Sequence, residues 1–132
     1  MRCSYLRYSR PYYAVYHAFT GQAIGKTTRK AAGGEPLVTT SYVLLETCAL
    51  VQRRLGIDVL RRFCEEIVPI LDVEWVGQDQ HEAAVTALLA AGRKGLSLVD
   101  CVSFSAMRRN GIKDVFAFDP HFEEQGFNRL PD

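Results

Sequence analysis

Hydrophobic and polar residues follow a regular pattern from residue 35 onward. Apolar positions at helical spacing predict four helices, at about residues 41–55, 57–68, 79–91 and 99–109. Strands are predicted by short apolar runs at residues 36–39, 73–76, 115–118 and 127–130. Strands that alternate with helices are typical of an α/β domain, in which helices cover both faces of a central, mainly parallel sheet. Sites in such domains lie outside the carboxyl ends of the strands.

The ends of the predicted helices carry residues that favour helix starts and stops. Candidate caps are Thr40 or Ser41 for the first helix, Asp79 for the third, and Ser97 or Asp100 for the fourth. Candidate stops are Gly56, Pro69, Gly92 and the pair Asn110-Gly111.

A chain of 132 residues, of which 48% are hydrophobic, is the size of one globular domain.

The first 34 residues differ from the rest in pattern and in charge. They contain six Lys or Arg residues and no acid, whereas residues 35–132 hold ten Lys or Arg residues and all fifteen acids. Neither a helical nor a strand period is visible in them. We therefore divide the chain into an atypical basic segment, residues 1–34, and a domain body, residues 35–132. The net charge of +1 does not decide for or against nucleic acid, because phosphate binding depends on a local basic face.

Four cysteines, at positions 3, 48, 64 and 101, form no CxxC pair and no zinc-finger spacing. Cys48, Cys64 and Cys101 fall inside apolar helical patterns, so we predict buried thiols in a reducing compartment. No run of about 18 apolar residues predicts a membrane span. These features favour a cytoplasmic protein.

Three carboxylates occupy positions where chemistry is expected. Glu46 lies on the first predicted helix among apolar residues, Asp100 at the opening of the fourth, and Asp119 directly after the run 115–118. The structural alternative for Glu46 is an ion pair with Arg53 or Arg54. Asp100 can instead serve as a helix cap, and Asp119 as a turn-forming Asp-Pro residue. Together the three acids make an oxygen-ligand set that suits Mg²⁺ or Mn²⁺.

The stretches that carry these acids resemble the PIN domain of VapC toxins. They are residues 36–47, residues 96–104, and residues 115–122, which read Val-Phe-Ala-Phe-Asp-Pro-His-Phe. Their order, spacing and surroundings match the family from residue 35 to about 128. The resemblance implies a PIN-like three-layer α/β/α fold with a central, mainly parallel sheet. It also implies a metal-dependent endoribonuclease that hydrolyses RNA phosphodiester bonds as the toxin of a toxin–antitoxin system.

Carried over residue by residue, the resemblance makes Glu46, Asp100 and Asp119 the catalytic and metal-binding acids, with Mg²⁺ or Mn²⁺ as cofactor. The ion would activate water for in-line attack on the phosphate and stabilise the charge that develops. Ser97 and His121 would support the ligands or the nearby backbone. The resemblance further implies an RNA substrate, an antitoxin protein as partner and a homodimer.

The family's first acid has no counterpart in this chain. It follows a short apolar opening strand as Asp-Thr or Asp-Ser, whereas this chain begins Met-Arg-Cys-Ser-Tyr-Leu-Arg-Tyr-Ser. One hypothesis is a shifted reading frame before residue 35, because the codons of residues 5–9, read one base on, can encode Ile-Cys-Asp-Thr. The alternative function is a catalytically impaired PIN-like domain, with residues 1–34 as a basic arm that binds RNA or a protein partner without cleaving.

Two other interpretations of the basic segment fail on pattern. Residues 21–27 resemble a P-loop, but the spacing is one residue short and no apolar strand precedes it. A transit peptide would also lack acids, yet the segment has no amphipathic period.

Five arginines of the domain body are candidates for RNA contact: Arg53, Arg54, Arg93, Arg108 and Arg109. Their alternative role is ordinary exposed charge on the face of a helix.

Overall fold

The computed structural model describes residues 4–6, 37–116 and 120–130. Within these ranges five strands form one sheet in the order β3-β2-β1-β4-β5. The strands are β1 (Ser4–Leu6), β2 (Leu37–Thr40), β3 (Leu71–Glu74), β4 (Asp114–Phe116) and β5 (Asn128–Leu130). All neighbouring strands are parallel, which confirms the predicted α/β class with a parallel sheet.

Helices connect these strands. They are α1 (Ser41–Leu55), α2 (Ile57–Arg62), α3 (Gln78–Ala91), α4 (Leu98–Arg109) and α5 (His121–Glu124). The chain runs outward from β1 to β2 and β3, then returns across the sheet to β4 and β5. With right-handed crossovers, this reversal puts the α1–α2 connection and the α3–α4 connection on opposite faces, as a three-layer fold requires. Within the described part of the chain, no helix combines the length and apolar character needed to cross a membrane.

The central strand β1 is a feature that the sequence pattern did not reveal. Ser4 pairs with Leu37 on one side and with Asp114 on the other. A run of three residues is too short to display a strand period. The strand forms because two neighbouring strands offer it parallel hydrogen-bonding edges, which is a tertiary property.

Helix α1 begins and ends as predicted. Thr40 is its N-cap, and the Thr40 hydroxyl accepts a hydrogen bond from the Val43 N–H at 3.3 Å. Leu50 and Val51 lie seven and eight residues after Val43, about two helical turns, so all three face the interior. Gly56 ends the helix at φ 91°, a backbone conformation that a side chain would strain.

The segment after α1 departs from the prediction of one helix over residues 57–68. Regular α-helical bonding stops at Arg62, and a π-helical turn follows at Phe63–Ile67. In that turn the Val68 N–H donates to the Phe63 carbonyl, five residues back. A 3-10 turn at Val68–Ile70 then leads into β3, so Pro69 lies within the helical segment and does not end it.

Two boundaries near β3 also differ from the predictions. The strand begins two residues earlier than predicted, so Trp75 lies beyond its end and is 74% exposed. Gly77, rather than Asp79, is the N-cap of α3, and its N–H donates to Gln80 Oε1 at 3.0 Å. Asp79 lies inside the first turn, where its charge still suits the positive end of the helix dipole.

Helix α4 packs into the largest buried cluster of the described residues. Phe104 contacts Phe122 edge to face at a centroid distance of 4.8 Å and stacks on Phe127 at 6.1 Å. Met107 on the same helix is fully buried. The complete cluster comprises Val38, Phe104, Ala106, Met107, Ile112, Val115, Phe122 and Phe127. This packing fixes α4 against the sheet and against the segment around α5.

The prediction of buried thiols is correct for one cysteine and wrong for another. Cys101 is buried, and burial raises the pKa of its thiol. Cys48 is half-buried, and burial together with the neighbouring Cys64 raises the pKa of its thiol to about 11. Cys64 is exposed, as are Glu65 and Glu66 in the same π-helical turn.

We predict that Met107→Ala lowers the free energy of unfolding by about 2–5 kcal/mol, because it removes a fully buried side chain and leaves a cavity. Leu89→Ala on α3 is the control, since Leu89 is 75% exposed and its loss should change stability by less than about 0.5 kcal/mol. Urea denaturation of both variants measures the difference. Equal losses would contradict the placement of α4 in the core.

Candidate active site

The strand topology predicts a site at the carboxyl ends of β1 and β4. The chain leaves β1 toward β2 and leaves β4 toward β5, so the strand order reverses between β1 and β4. Crevices that bind ligands form outside the carboxyl ends of parallel strands at such a reversal. Leu6 and Phe116 pair at the carboxyl ends of these two strands. In sequence, Arg7 follows β1 directly and Asp119 comes three residues after β4. Asp119 itself lies outside the described ranges.

Asp100 is a buried carboxylate at the start of α4, with 2% of its surface exposed. Ser97 is the N-cap of the helix, and its hydroxyl accepts a hydrogen bond from the Asp100 N–H at 3.1 Å. In return, Asp100 Oδ2 accepts from the Ser97 N–H at 2.9 Å. This reciprocal capping box fixes the carboxylate in one orientation. The cap that the sequence suggested as an alternative role is therefore present, and it engages Oδ2, whereas Oδ1 is buried.

The loop that leads into Asp100 lies against the segment that follows Asp119. Arg93 in the loop forms an ion pair with Glu124 of α5 at 2.9 Å. His121 lies beside Gly95, since a Cβ on Gly95 would come within 3.9 Å of its Cε1 atom. The structure thus brings His121, Ser97 and Asp100 into one region, through contacts between elements that are more than 20 residues apart.

Glu46 lies on α1, one and a half turns from its start, and is half-buried. Helix α1 contacts helix α4. Within residues 4–6, 37–116 and 120–130, no three His, Cys, Asp or Glu side chains converge as a metal site. Of the proposed ligands, Glu46 and Asp100 lie within these residues and Asp119 lies outside them.

A polar recess that the sequence analysis did not identify lies at the carboxyl ends of β2 and β3. Glu74 accepts hydrogen bonds from the Arg109 guanidinium and, at 3.0 Å, from Asn110 Nδ2. Thr40 and Gln80 also line this recess. Glu74 is thereby held by the last residue of α4 and the residue that follows it. Its partners are 35 and 36 residues away in sequence, so no local pattern announces the contact.

Three of the arginines that were candidates for RNA contact make intramolecular contacts. Arg109 pairs with Glu74, and Arg93 pairs with Glu124. Arg108 donates to Gln125 Oε1 at 2.5 Å and lies over the Phe127 ring at 5.6 Å from its centroid. These contacts favour a structural role for all three side chains.

Comparisons with known proteins show the family of this chain and relatives of similar fold. The family described as PIN domain matches residues 14–128. Two relatives, from Mycobacterium tuberculosis strains CDC 1551 / Oshkosh and ATCC 25618 / H37Rv, are both named 23S rRNA-specific endonuclease VapC20. Each is 35% identical over 105 residues, which cover 78% of this chain and 80% of the relative.

A solved structure agrees with these matches. The crystal structure of Mycobacterium tuberculosis VapC20, described as a sarcin–ricin loop cleaving toxin, resembles this chain with a TM-score of 0.70 and 28% identity. The likeness covers 94% of this chain and 95% of that one. The parallel sheet and its helices therefore have a counterpart of nearly the same length.

We predict that Ser97→Ala lowers the free energy of unfolding by about 0.5–2 kcal/mol, because the Asp100 N–H loses its hydroxyl acceptor at the buried start of α4. Ser97→Thr retains a capping hydroxyl and serves as the control. Chemical denaturation of the two variants tests this. A Thr variant as unstable as the Ala variant would mean that the hydroxyl does not stabilise the helix.

Proposed function

Because the chain belongs to the PIN domain family, we propose that it is a metal-dependent endoribonuclease and the toxin of a toxin–antitoxin pair. The observation that carries the proposal is the 35% identity to VapC20, a named endonuclease, over 78% of the chain. The reaction is hydrolysis of an RNA phosphodiester bond. Since the VapC20 relatives are named for 23S rRNA, a structured ribosomal RNA loop is the substrate class that we propose.

We assign Glu46, Asp100 and Asp119 as the acids that hold Mg²⁺ or Mn²⁺. The properties of Asp100 fit this role, because it is a buried carboxylate that the capping box holds in one orientation. All three donors are carboxylates, the ligand type that hard divalent ions prefer. Asp119 follows β4 at the reversal of strand order, where the crevice rule locates sites in parallel sheets.

The residues of this chain prepare the site before substrate arrives. The capping box with Ser97 holds the Asp100 carboxylate in a fixed orientation, so no ordering is needed on binding. His121 packs beside Gly95 and supports the loop that leads to Ser97. A divalent ion, when bound, supplies an activated water and positive charge near the scissile phosphate. Ser97 and His121 are positioning residues in this proposal.

The position after β1 sets how active the chain is. β1 ends at Leu6, beside β4, and the family's first acid follows this strand. In sequence, the next residue of this chain is Arg7, whereas the family has an acid after the strand. The chain therefore lacks one carboxylate of the family's ligand set, and loss of one ligand weakens binding of the ion. Under the hypothesis of a shifted reading frame, an aspartate would stand at this position. Because the chain has Arg7 instead, we propose that it cleaves RNA weakly.

The proposed partners follow from the same family membership. They are the RNA substrate, a neutralising antitoxin protein and a second copy of the chain in a homodimer, in the cytoplasm. The runner-up function, an impaired PIN-like domain that binds RNA or a partner without cleaving, is favoured by one observation, the arginine after β1. Removal of the divalent ion separates the two functions. RNA cleavage would stop without the ion, whereas RNA binding through basic groups would persist.

We predict that the full chain cleaves a sarcin–ricin loop oligoribonucleotide in Mn²⁺ or Mg²⁺, and that chelator abolishes cleavage. Asp100→Asn should reduce the rate at least about 100-fold, because it removes a charged ligand. The amide oxygen of the variant can still accept from the Ser97 N–H, so the fold should persist. Gel analysis of the cleaved RNA gives the rates.

Controls make a negative result informative. Circular dichroism of Asp100→Asn should match the parent chain, and Asp79→Asn, an exposed acid in the first turn of α3, should cleave at the parental rate. If RNA is bound by the parent chain but never cut under either metal, the chain is the impaired binding domain. Cleavage that survives chelator would rule out the metal-dependent mechanism.

A second prediction concerns the first-acid position. Arg7→Asp should raise the rate of metal-dependent cleavage by roughly 10-fold or more, because it supplies the ligand that the family has after β1. Arg10→Asp, with the same charge change three residues further on, should leave the rate unchanged or lower it. Rate measurements on both variants decide the matter. Equal rates would show that the residue after Leu6 does not contribute a ligand.

A further inference from the structure

Within the described part of the chain, four polar or charged residues are buried, and they lie on two elements that contact each other. Thr39 and Thr40 form the carboxyl end of β2, and Asp100 and Ser103 lie in the first half of α4, which packs against β2. Thr40 and Asp100 take part in helix caps. The Ser103 hydroxyl has no hydrogen-bond partner among the described residues, although Ser103 is fully buried.

A serine at this position is unfavourable for stability. A buried hydroxyl that lacks a partner loses its hydrogen bonds to water and gains none in return. Alanine would fill nearly the same volume without that cost, and alanine also favours the helical conformation more than serine does. Unsatisfied buried polar groups are few in native proteins, and an ion or a catalytic role is among their explanations. The Ser103 hydroxyl therefore calls for a partner that the described residues do not supply.

The helix geometry puts Ser103 beside Asp100 on the side of α4 that faces the sheet. Residues three apart on a helix are neighbours, with Cβ atoms about 5–6 Å apart. Since each residue advances by about 100° around the helix, Ser103 lies between Ala106 and Met107. Met107 packs in the core cluster with residues of β2 and β4, and Ala106 lines the recess together with Thr40. Ser103 therefore faces the carboxyl end of β2, next to the buried carboxylate.

We propose that Ser103 is a positioning residue of the metal site, and that its hydroxyl hydrogen-bonds a water molecule of the hydrated ion that Asp100 holds. Mg²⁺ bound through one or two carboxylates keeps several of its waters, and in a buried site these waters need hydrogen-bond partners. Hydrogen bonds to the ligands of an ion orient them and strengthen binding. The ion thereby brings the partner that Ser103 needs. This inference rests on the proposed function, because it requires the divalent ion.

The test compares Ser103→Ala with Ser105→Ala in the full chain. Ser105 is an exposed serine on the same helix, so both variants gain helix propensity and only Ser103→Ala loses a buried hydroxyl. In chelator, Ser103→Ala should melt roughly 3 °C or more above Ser105→Ala, because it no longer buries an unsatisfied group. Isothermal titration with manganese chloride should give Ser103→Ala an affinity for Mn²⁺ roughly 10-fold or more below that of the parent chain and of Ser105→Ala.

Higher stability together with weaker ion binding is a combination that a purely structural serine would not produce. If Ser103→Ala melts no higher than Ser105→Ala, or does not fold, the hydroxyl has a structural partner and the inference is wrong. Equal Mn²⁺ affinities of all three chains would overturn the role of Ser103 and leave the proposed function intact. A parent chain that binds no Mn²⁺ would instead refute the proposed metal site, and the role of Ser103 with it.

Discussion

The contact between α4 and the sheet organises the rest of this molecule. Met107 and Val115 are fully buried on either side of it, and the phenylalanines of α4 and the α5 segment pack on one another there. Apolar burial on this scale is the main favourable term in folding, and close packing leaves the helix one position. Because α4 is held in one position, the Asp100 carboxylate at its start is held in place as well. The Glu74 contacts with Arg109 and Asn110 secure the other end.

A fixed helix start explains how one acidic residue serves two purposes. The backbone N–H of Ser97 needs an acceptor at the helix end, and Asp100 Oδ2 provides it. The same bond orients the carboxylate that we assign to a metal ion. Stability and the proposed chemistry thus draw on one interaction. In sequence, the residue that follows β1 is Arg7, which supplies no carboxylate.

Prediction from sequence was accurate where the signal is local. Thr40 caps the start of α1, and Gly56 and Gly92 end helices, as expected, because caps and positive φ angles depend on a few neighbouring residues. It failed for Asp79, since Gly77 and Gln80 make an equally local cap that the pattern did not distinguish. It also failed for Cys64, which is exposed and lies in a π-helical turn that the hydrophobic pattern did not predict.

The sequence by itself determined the class of fold and the candidate acids, since hydrophobic period and the surroundings of Glu46, Asp100 and Asp119 are written in short stretches. Only the tertiary structure decided that Ser4–Leu6 is the central strand, because its pairing partners are about 30 and 110 residues away. The recess at Glu74 and the pairing of Arg93 with Glu124 likewise arise between distant segments. Contacts of this kind form when the chain is folded, so no local period encodes them.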